Sequence, residues 1–459
     1  MSNDRNFALN YLNDNQDRYL SDLKAFSSIP SISTDPLAKP AMQQAANWIA
    51  NRLQQIGMEN IQILPTDLHP VVYADHIHAL NAPTVLIYGH YDVQPAEPLE
   101  LWISGAFEPS IRGEHIFARG ITDMKGQILT TVNAIEAILR TSGNLPVNVK
   151  FMIEGEEEIG SPSLDAFMQS NKTLLACDVA LNPDSGMLGP DLPTIVYALR
   201  GLANFELRVH GPDHDLHSGV FGGAVLNPAQ ALCELIAGMH NSDGSVALPG
   251  FYQNIPILTP EERAEISRLP INDEWYLENT GAPALWGEQG YTSIERTGAR
   301  PTLKVNGLLS GFTGVGAKTV LPSWAMAKIS CRLVPNQDPT VIYQSLRAYL
   351  EAHASKSIRW ELTQMAGSPA SSSERNSDHI QALVKAMETV WGVRPIFKRE
   401  GGSVPVVNKF KSILGVEAIN TGFGMPGDNA HSPNEKLHLP SWHLGTQAIL
   451  HFLLNLAEV

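Results

Sequence analysis

The stretch VNVKFMIEGEEEIGS, residues 147–161, runs from an apolar segment straight into three adjacent glutamates, Glu156, Glu157 and Glu158. Residues 147–153 read as a buried strand, so the carboxylates stand where that strand ends. Like charges this close raise one another's pKa and repel, and a folded chain tolerates them only if water solvates them or a cation compensates them. Which of these holds depends on what the rest of the chain brings to the same place.

Three further short apolar runs, at residues 84–88, 179–181 and 412–416, also read as buried strands. Helical patterns lie between such runs: Ile128, Val132, Ile135 and Leu139 share one apolar face. Alternating strands and helices imply an α/β domain with a central, mostly parallel sheet flanked by helices. The middle of the chain reads differently. Residues 205–210 alternate apolar and polar, and within 325–333 Ala327, Ile329, Cys331 and Leu333 share one face while Met326, Lys328, Ser330 and Arg332 share the other. That is the pattern of a half-buried antiparallel sheet. Helical patterns follow at 228–240 and around Ile342, Leu346, Tyr349 and Leu350.

A second, α+β domain inserted into the first is the simplest account, with exits near Gly201 and in the serine-rich stretch GSPASSSERNS, residues 367–377. The expected division is a discontinuous domain of residues 1–203 and 376–459 and an inserted domain of 204–375. After the linker, a helix at 380–391 and the 412–416 strand return the chain to the first domain. A chain of 459 residues is longer than one hydrophobic core usually serves, which agrees with two domains.

A formal charge of -15 repels nucleic acid and anionic membrane, so neither is an expected partner. The first residues lack the basic-then-apolar order of a secretory signal, no apolar stretch is long enough to span a bilayer, and the chain reads as cytoplasmic. Cys177, Cys233 and Cys331 are odd in number and far apart, which fits neither a disulfide framework nor a thiolate zinc site.

The polar residues gather in a few places. GHYDVQP, residues 89–95, carries His90 and Asp92; FARGITDMKGQ, 117–127, carries Asp123; LNPDSG, 181–186, carries Asp184; GFGMPGDNAHSPNE, 422–435, carries His431. Each follows an apolar run or opens a helix, and in an open α/β sheet the carboxyl ends of the strands share one crevice. Singly, each has an ordinary use: Asp123 as a helix cap, Asp184 in a turn, the glutamates on a solvated loop. Together, two imidazoles and several carboxylates make a metal site the better reading, and that donor mix suits Zn, Mn or Co more than Mg or Ca. One glutamate of the triplet can then hold a cation while its neighbour stays free as a base.

The ordered set resembles the dinuclear metallopeptidase and deacylase family that includes carnosinases, cytosolic nonspecific dipeptidase, aminoacylase and succinyl-diaminopimelate desuccinylase. GHYDVQP, RGITDMKGQ, EGEEEIGS, DLHSGVFGG, REGGSVP and DNAHSPNE match in order over nearly the whole chain, and the first and third forms look most like the dipeptidase branch. The resemblance implies two divalent ions, Zn or Mn with Co also admitted. His90 and Asp184 would hold one, Glu158 and His431 the other, and Asp123 would bridge. Asp92 would orient His90, and Glu157 would be the general base, with Glu156 the alternative.

His217 is implied as the oxyanion partner, delivered from the inserted domain of a neighbouring subunit, which makes a homodimer through that domain. Arg332 would grip a substrate's terminal carboxylate, with Thr319, Gly402 and Ser403 as further substrate contacts. The implied reaction is hydrolysis of the amide bond of a dipeptide or short peptide. An N-acyl amino acid deacylase would use the same centre, whereas a catalytically silent binding protein would be expected to have lost a ligand or the base, and none is missing. Met124 stands where many dipeptidases carry a second aspartate, and residues 243–292 match nothing chemically readable.

Overall fold

In the computed structural model, which describes residues 2–402 and 404–459, the run that ends in the glutamates is the strand Asn148–Glu154. It lies inside a nine-stranded sheet. Thr84–His90 runs parallel beside it with His90 opposite Glu154, Val179–Asn182 runs parallel to Thr84–His90, and Ala418–Asn420 is parallel to Val179–Asn182. These four strands are buried almost throughout, and all four end on the same side of the sheet. The crevice expected at their carboxyl ends therefore receives His90, the glutamate turn and the segment leading to Asp184.

The sheet is mixed rather than mostly parallel. Val71–His76 is antiparallel to Asn148–Glu154, Glu59–Leu64 is antiparallel beyond it, and Thr194–Leu199 is antiparallel to Ala418–Asn420. The physical reason is connection length: a short link such as residues 65–70 reverses the chain, whereas a parallel neighbour needs a full crossover. A second correction concerns residues 412–416. Phe410–Leu414 is a wide helical turn that buries Phe410 and Ile413, Gly415 closes it at φ 77°, and the strand follows at Ala418–Asn420. Periodicity cannot separate a helical turn from a strand in so short an apolar run.

Helix Gly126–Ser142 is buried from Gly126 to Ile138, packed between Ser2–Asp14 and Leu439–Leu456, and the last helix packs in turn on Asp378–Trp391. At roughly 1.5–3 kcal/mol per fully buried large apolar side chain, these faces dominate the stability of the layer. Trp442 Nε1 donates to the Gly126 carbonyl at 2.8 Å, tying the C-terminal helix to the start of the helix that follows Asp123.

By their contacts the residues form two units, 1–197 with 373–397 and 405–459, and 198–372 with 398–404, against the expected insertion of 204–375. The second unit carries a four-stranded antiparallel sheet in the order Thr302–Ser310, Trp324–Leu333, Gly201–His210, Arg359–Ser368. Ala325, Ala327, Ile329, Cys331 and Leu333 face a core shared with Phe205, Leu207 and Val209, covered by Pro228–Ala237 and Pro339–His353. Residues 243–292 contribute the short helices Pro260–Ile266 and Asp273–Thr280, capped by Thr259 and Asn272. Among the described residues, no helix is long and apolar enough to cross a membrane.

Candidate metal centre

His90 is the last residue of its strand and is wholly buried. Its Nδ1 lies 3.1 Å from the Asp92 carbonyl oxygen and 3.3 Å from Asp92 Oδ1, while Asp92 Oδ2 accepts the Glu158 N–H at 3.1 Å. Asp92 thus fixes the imidazole chiefly through its main-chain carbonyl and the glutamate turn through its carboxylate. Gln94 adds to this, donating to Glu158 Oε2 at 2.8 Å.

Asp123 sits in the turn Ile121–Lys125 with φ -121° and ψ 91°, just after Gly120 at φ 76°. A Cβ on Gly120 would lie 2.2 Å from Val93 Cγ1, so both the backbone angle and the space require glycine. The two oxygens of Asp123 face different imidazoles: Oδ1 is 3.2 Å from His90 Nε2 and Oδ2 is 2.8 Å from His431 Nε2. Asp184 Oδ2 lies 3.9 Å from His90 Nε2, and Glu158 Oε2 lies 3.3 Å from His431 Nε2. In each of the trios His90–Asp123–Asp184, Asp123–Glu158–His431 and His90–Glu157–Glu158, the donor atoms all fall within 4.8 Å of one another.

The three glutamates part company. Glu156 is buried and turned away: Oε1 accepts from Thr66 Oγ1 at 2.8 Å and from the His69 N–H at 2.9 Å, and Oε2 accepts the Ser163 N–H at 3.0 Å. Glu157 and Glu158 remain with the imidazoles.

Charge in this cluster is out of balance. Burial, reinforced by Glu158, Asp123 and Asp92 and opposed by His90, pushes Glu157 up to about 7. Burial and the charge of Asp123 push Asp184 well above the usual carboxylate range. Hydrogen bonds to Asp123 and Glu158 raise His431 to about 10. Burial alone would lower His90, but its hydrogen bonds to Asp123 and Asp92 and the charge of Asp184 outweigh it, and the ring ends well above its ordinary value. Asp123 ends low despite burial, because His431 and His90 hydrogen-bond its charged form. Buried carboxylates that draw protons onto both imidazoles would be met equally well by cations among the same atoms, and nitrogen with oxygen donors suits Zn or Mn.

His90, Asp92, Asp123, Glu157, Glu158, Asp184 and His431 therefore stand together in the first unit. The remaining candidates belong to the second unit. Arg332 points to the face of its strand opposite the core, across from Leu202 and Thr302. His217 is exposed, and its Nδ1 accepts the Gly219 N–H at 3.0 Å, so the neutral ring carries its hydrogen on Nε2. Leu216–His217 pairs with Val320–Leu321, and the Ser218 N–H donates to the Thr319 carbonyl at 3.1 Å, which brings DLHSG and KTVLP onto one small ladder. Gly402 is exposed with open space beside it, and Ser403 lies outside the described residues.

Gln94 and Glu435 are participants that the sequence reading did not single out. Both lie inside quoted motifs, and that position was the only signal available. Glu435 accepts the Asp123 N–H at 3.1 Å.

The sequence model of peptidase family M20/M25/M40 matches residues 86–455. The Cys-Gly metallodipeptidase of Schizosaccharomyces pombe is 30% identical, with 97% of this chain and 96% of that protein covered. Among solved structures, an M20 family metallo-carboxypeptidase from Sulfolobus solfataricus aligns with a TM-score of 0.82 at 31% identity, covering 96% of this chain and 99% of that one. Human carnosine dipeptidase 1 aligns with a TM-score of 0.78 at 27% identity, covering 99% of each chain.

Proposed function

The chain belongs to peptidase family M20/M25/M40, and from that premise we propose that it is a two-metal exopeptidase that hydrolyses dipeptides or short peptides. The observation that carries the proposal is Asp123, whose two oxygens face His90 on one side and His431 on the other, each within its own trio of donors. His90 and Asp184 would hold one ion and Glu158 and His431 the other, with Asp123 shared; Zn or Mn fits the donors. When bound, such ions supply the Lewis acidity that acidifies water and polarises an amide carbonyl.

The rest is work for this chain's own side chains. Glu157, half-buried beside His90 and raised towards neutrality, takes a proton from the attacking water and returns it to the departing amine. Asp92 keeps His90 and the Glu158 turn in register while this happens. His217 offers its outward Nε2–H to the oxyanion, contributed by a second copy of the chain, and Arg332 offers a planar fork to the substrate's terminal carboxylate. Leu308, Leu309, Phe312 and Val315 are exposed on and just beyond the edge strand Thr302–Ser310, which supports homodimer contact through this unit. The acidic charge and scattered cysteines fit a cytoplasmic enzyme.

The test is to strip the protein of metal, restore Zn or Mn separately, and assay a matched panel of free dipeptides, longer peptides and N-acetyl or N-succinyl amino acids. Turnover of free dipeptides is the expected result. Turnover confined to the acylated compounds would move the enzyme to the deacylases, and no turnover with either ion would sink the proposal.

A further inference from the structure

Glu435 lies four residues beyond His431 and is 1% exposed, and its carboxylate hydrogen-bonds to Arg119 and to backbone amides rather than to a candidate ligand side chain. Its Oε2 accepts the Gly120 N–H and Arg119 Nη1, both at 2.8 Å, and its Oε1 accepts the Thr122 N–H at 3.0 Å and the Asp123 N–H at 3.1 Å. Three backbone amides of the Asp123 turn thus converge on one carboxylate. The Glu435 carbonyl also accepts the Ala118 N–H at 3.1 Å. Its neighbour Asn434 holds the Leu101 carbonyl at 2.7 Å and the Ile103 N–H at 2.9 Å, so the segment that carries His431 is fastened at its far end.

We infer that Glu435 is a positioning residue of the metal centre: it clamps the backbone of the Asp123 turn to the His431 segment, and thereby sets how both oxygens of Asp123 meet the two imidazoles. The inference rests on the two-ion reading and concerns only residues of this chain. Each Glu435 oxygen serves two donors, so an amide in its place confronts two N–H groups with an NH2 whichever way it is flipped. The turn can then relieve the conflict only by moving, and Asp123 moves with it.

The experiment uses the full chain as wild type, Glu435→Gln and Glu435→Asp, loaded with Mn(II) and read by electron paramagnetic resonance and by Mn(II) titration calorimetry. Two Mn(II) ions sharing a carboxylate give an exchange-coupled spectrum distinct from that of isolated ions. The expected result is a coupled pair in wild type and, in folded Glu435→Gln, isolated Mn(II) bound roughly 10- to 100-fold more weakly. Should circular dichroism show that Glu435→Gln does not fold, Glu435→Asp carries the same comparison, since it keeps both acceptors but withdraws them by one methylene. A folded variant with the wild-type coupled spectrum and affinity overturns the role of Glu435 and leaves the two-ion reading standing. A wild type that never shows a coupled pair at saturating Mn(II) overturns that reading, and this inference with it.

Discussion

The two units treat their candidate functional residues in opposite ways. In the first, several of the polar groups are held by neighbouring side chains: Asp92 grips His90 and the Glu158 N–H, Gln94 grips Glu158, and Glu435 grips the Asp123 turn. In the second, His217 is exposed within a ladder of two-residue strands and Thr319 is exposed just before it, Thr319 tied there by a backbone hydrogen bond and the His217 ring accepting the Gly219 N–H. A cluster of like charges must be assembled before substrate arrives, because repulsion would otherwise scatter it. Groups proposed to meet only substrate need no such scaffold. Substitutions of the groups that hold the first unit's cluster, such as Asp92, Gln94 and Glu435, should therefore reach metal content and stability, and those in the second unit should register only in kinetics.

The largest effect should come from Glu157→Gln, which keeps the shape of the base and removes its proton affinity. Its kcat on a good dipeptide should fall by roughly 10²- to 10⁴-fold with metal content unchanged, since a base that holds no ion can be lost without losing the ions. Loss of metal in parallel would mean that Glu157 is a ligand and that the division among the three glutamates is wrong. Next in size, His217→Ala should lower kcat by about 10²- to 10³-fold, the usual cost of losing an oxyanion donor. Metal content and melting temperature should not move. An unchanged kcat would remove the oxyanion role and the need for a second copy of the chain.

Arg332→Met should cost less and appear elsewhere. A hydrogen bond to a charged group contributes about 1.5–3 kcal/mol, so kcat/KM should drop roughly 10- to 100-fold for peptides with a free carboxylate. For the same peptides with an amidated C-terminus the variant and wild type should converge. Equal losses on both would show that the arginine supports the sheet rather than reading the terminus.

What the sequence made legible follows the same contrast. A metal site needs particular residue types, so the proposed ligands His90, Asp123, Glu158, Asp184 and His431 could be picked out just past apolar runs, at a helix start and in a late loop. The alternation in Trp324–Leu333 was equally plain, because one face of a half-buried sheet has to be apolar. The antiparallel flanks of the central sheet were not legible, since strand direction leaves no trace in the composition of a buried strand. Residues 412–416 misled for a related reason: a buried helical turn and a short strand ask for the same apolar residues. Glu435 was hidden because its partners are mostly backbone amides, which every residue possesses. Glu156 stood as the alternative base to Glu157, and only the structure shows Thr66, His69 and Ser163 holding its carboxylate away from the imidazoles.

That pair of neighbours supplies the smallest kinetic effect and the sharpest form of the comparison. Glu156 is 2% exposed and accepts from three donors, two on Oε1 and one on Oε2. In Glu156→Gln the amide oxygen can keep the Thr66 and His69 bonds, but its NH2 then faces the Ser163 N–H, and a buried donor is left without an acceptor. The expected cost is about 1–3 kcal/mol of stability, measured as a lower denaturation midpoint, with kcat close to wild type once the protein is folded and loaded with metal. Residues one position apart would then divide cleanly, one governing turnover without stability and the other stability without turnover. If Glu156→Gln instead matched Glu157→Gln in kcat while its midpoint held, the base would be Glu156, and its bonds to Thr66, His69 and Ser163 would have to open before each catalytic cycle.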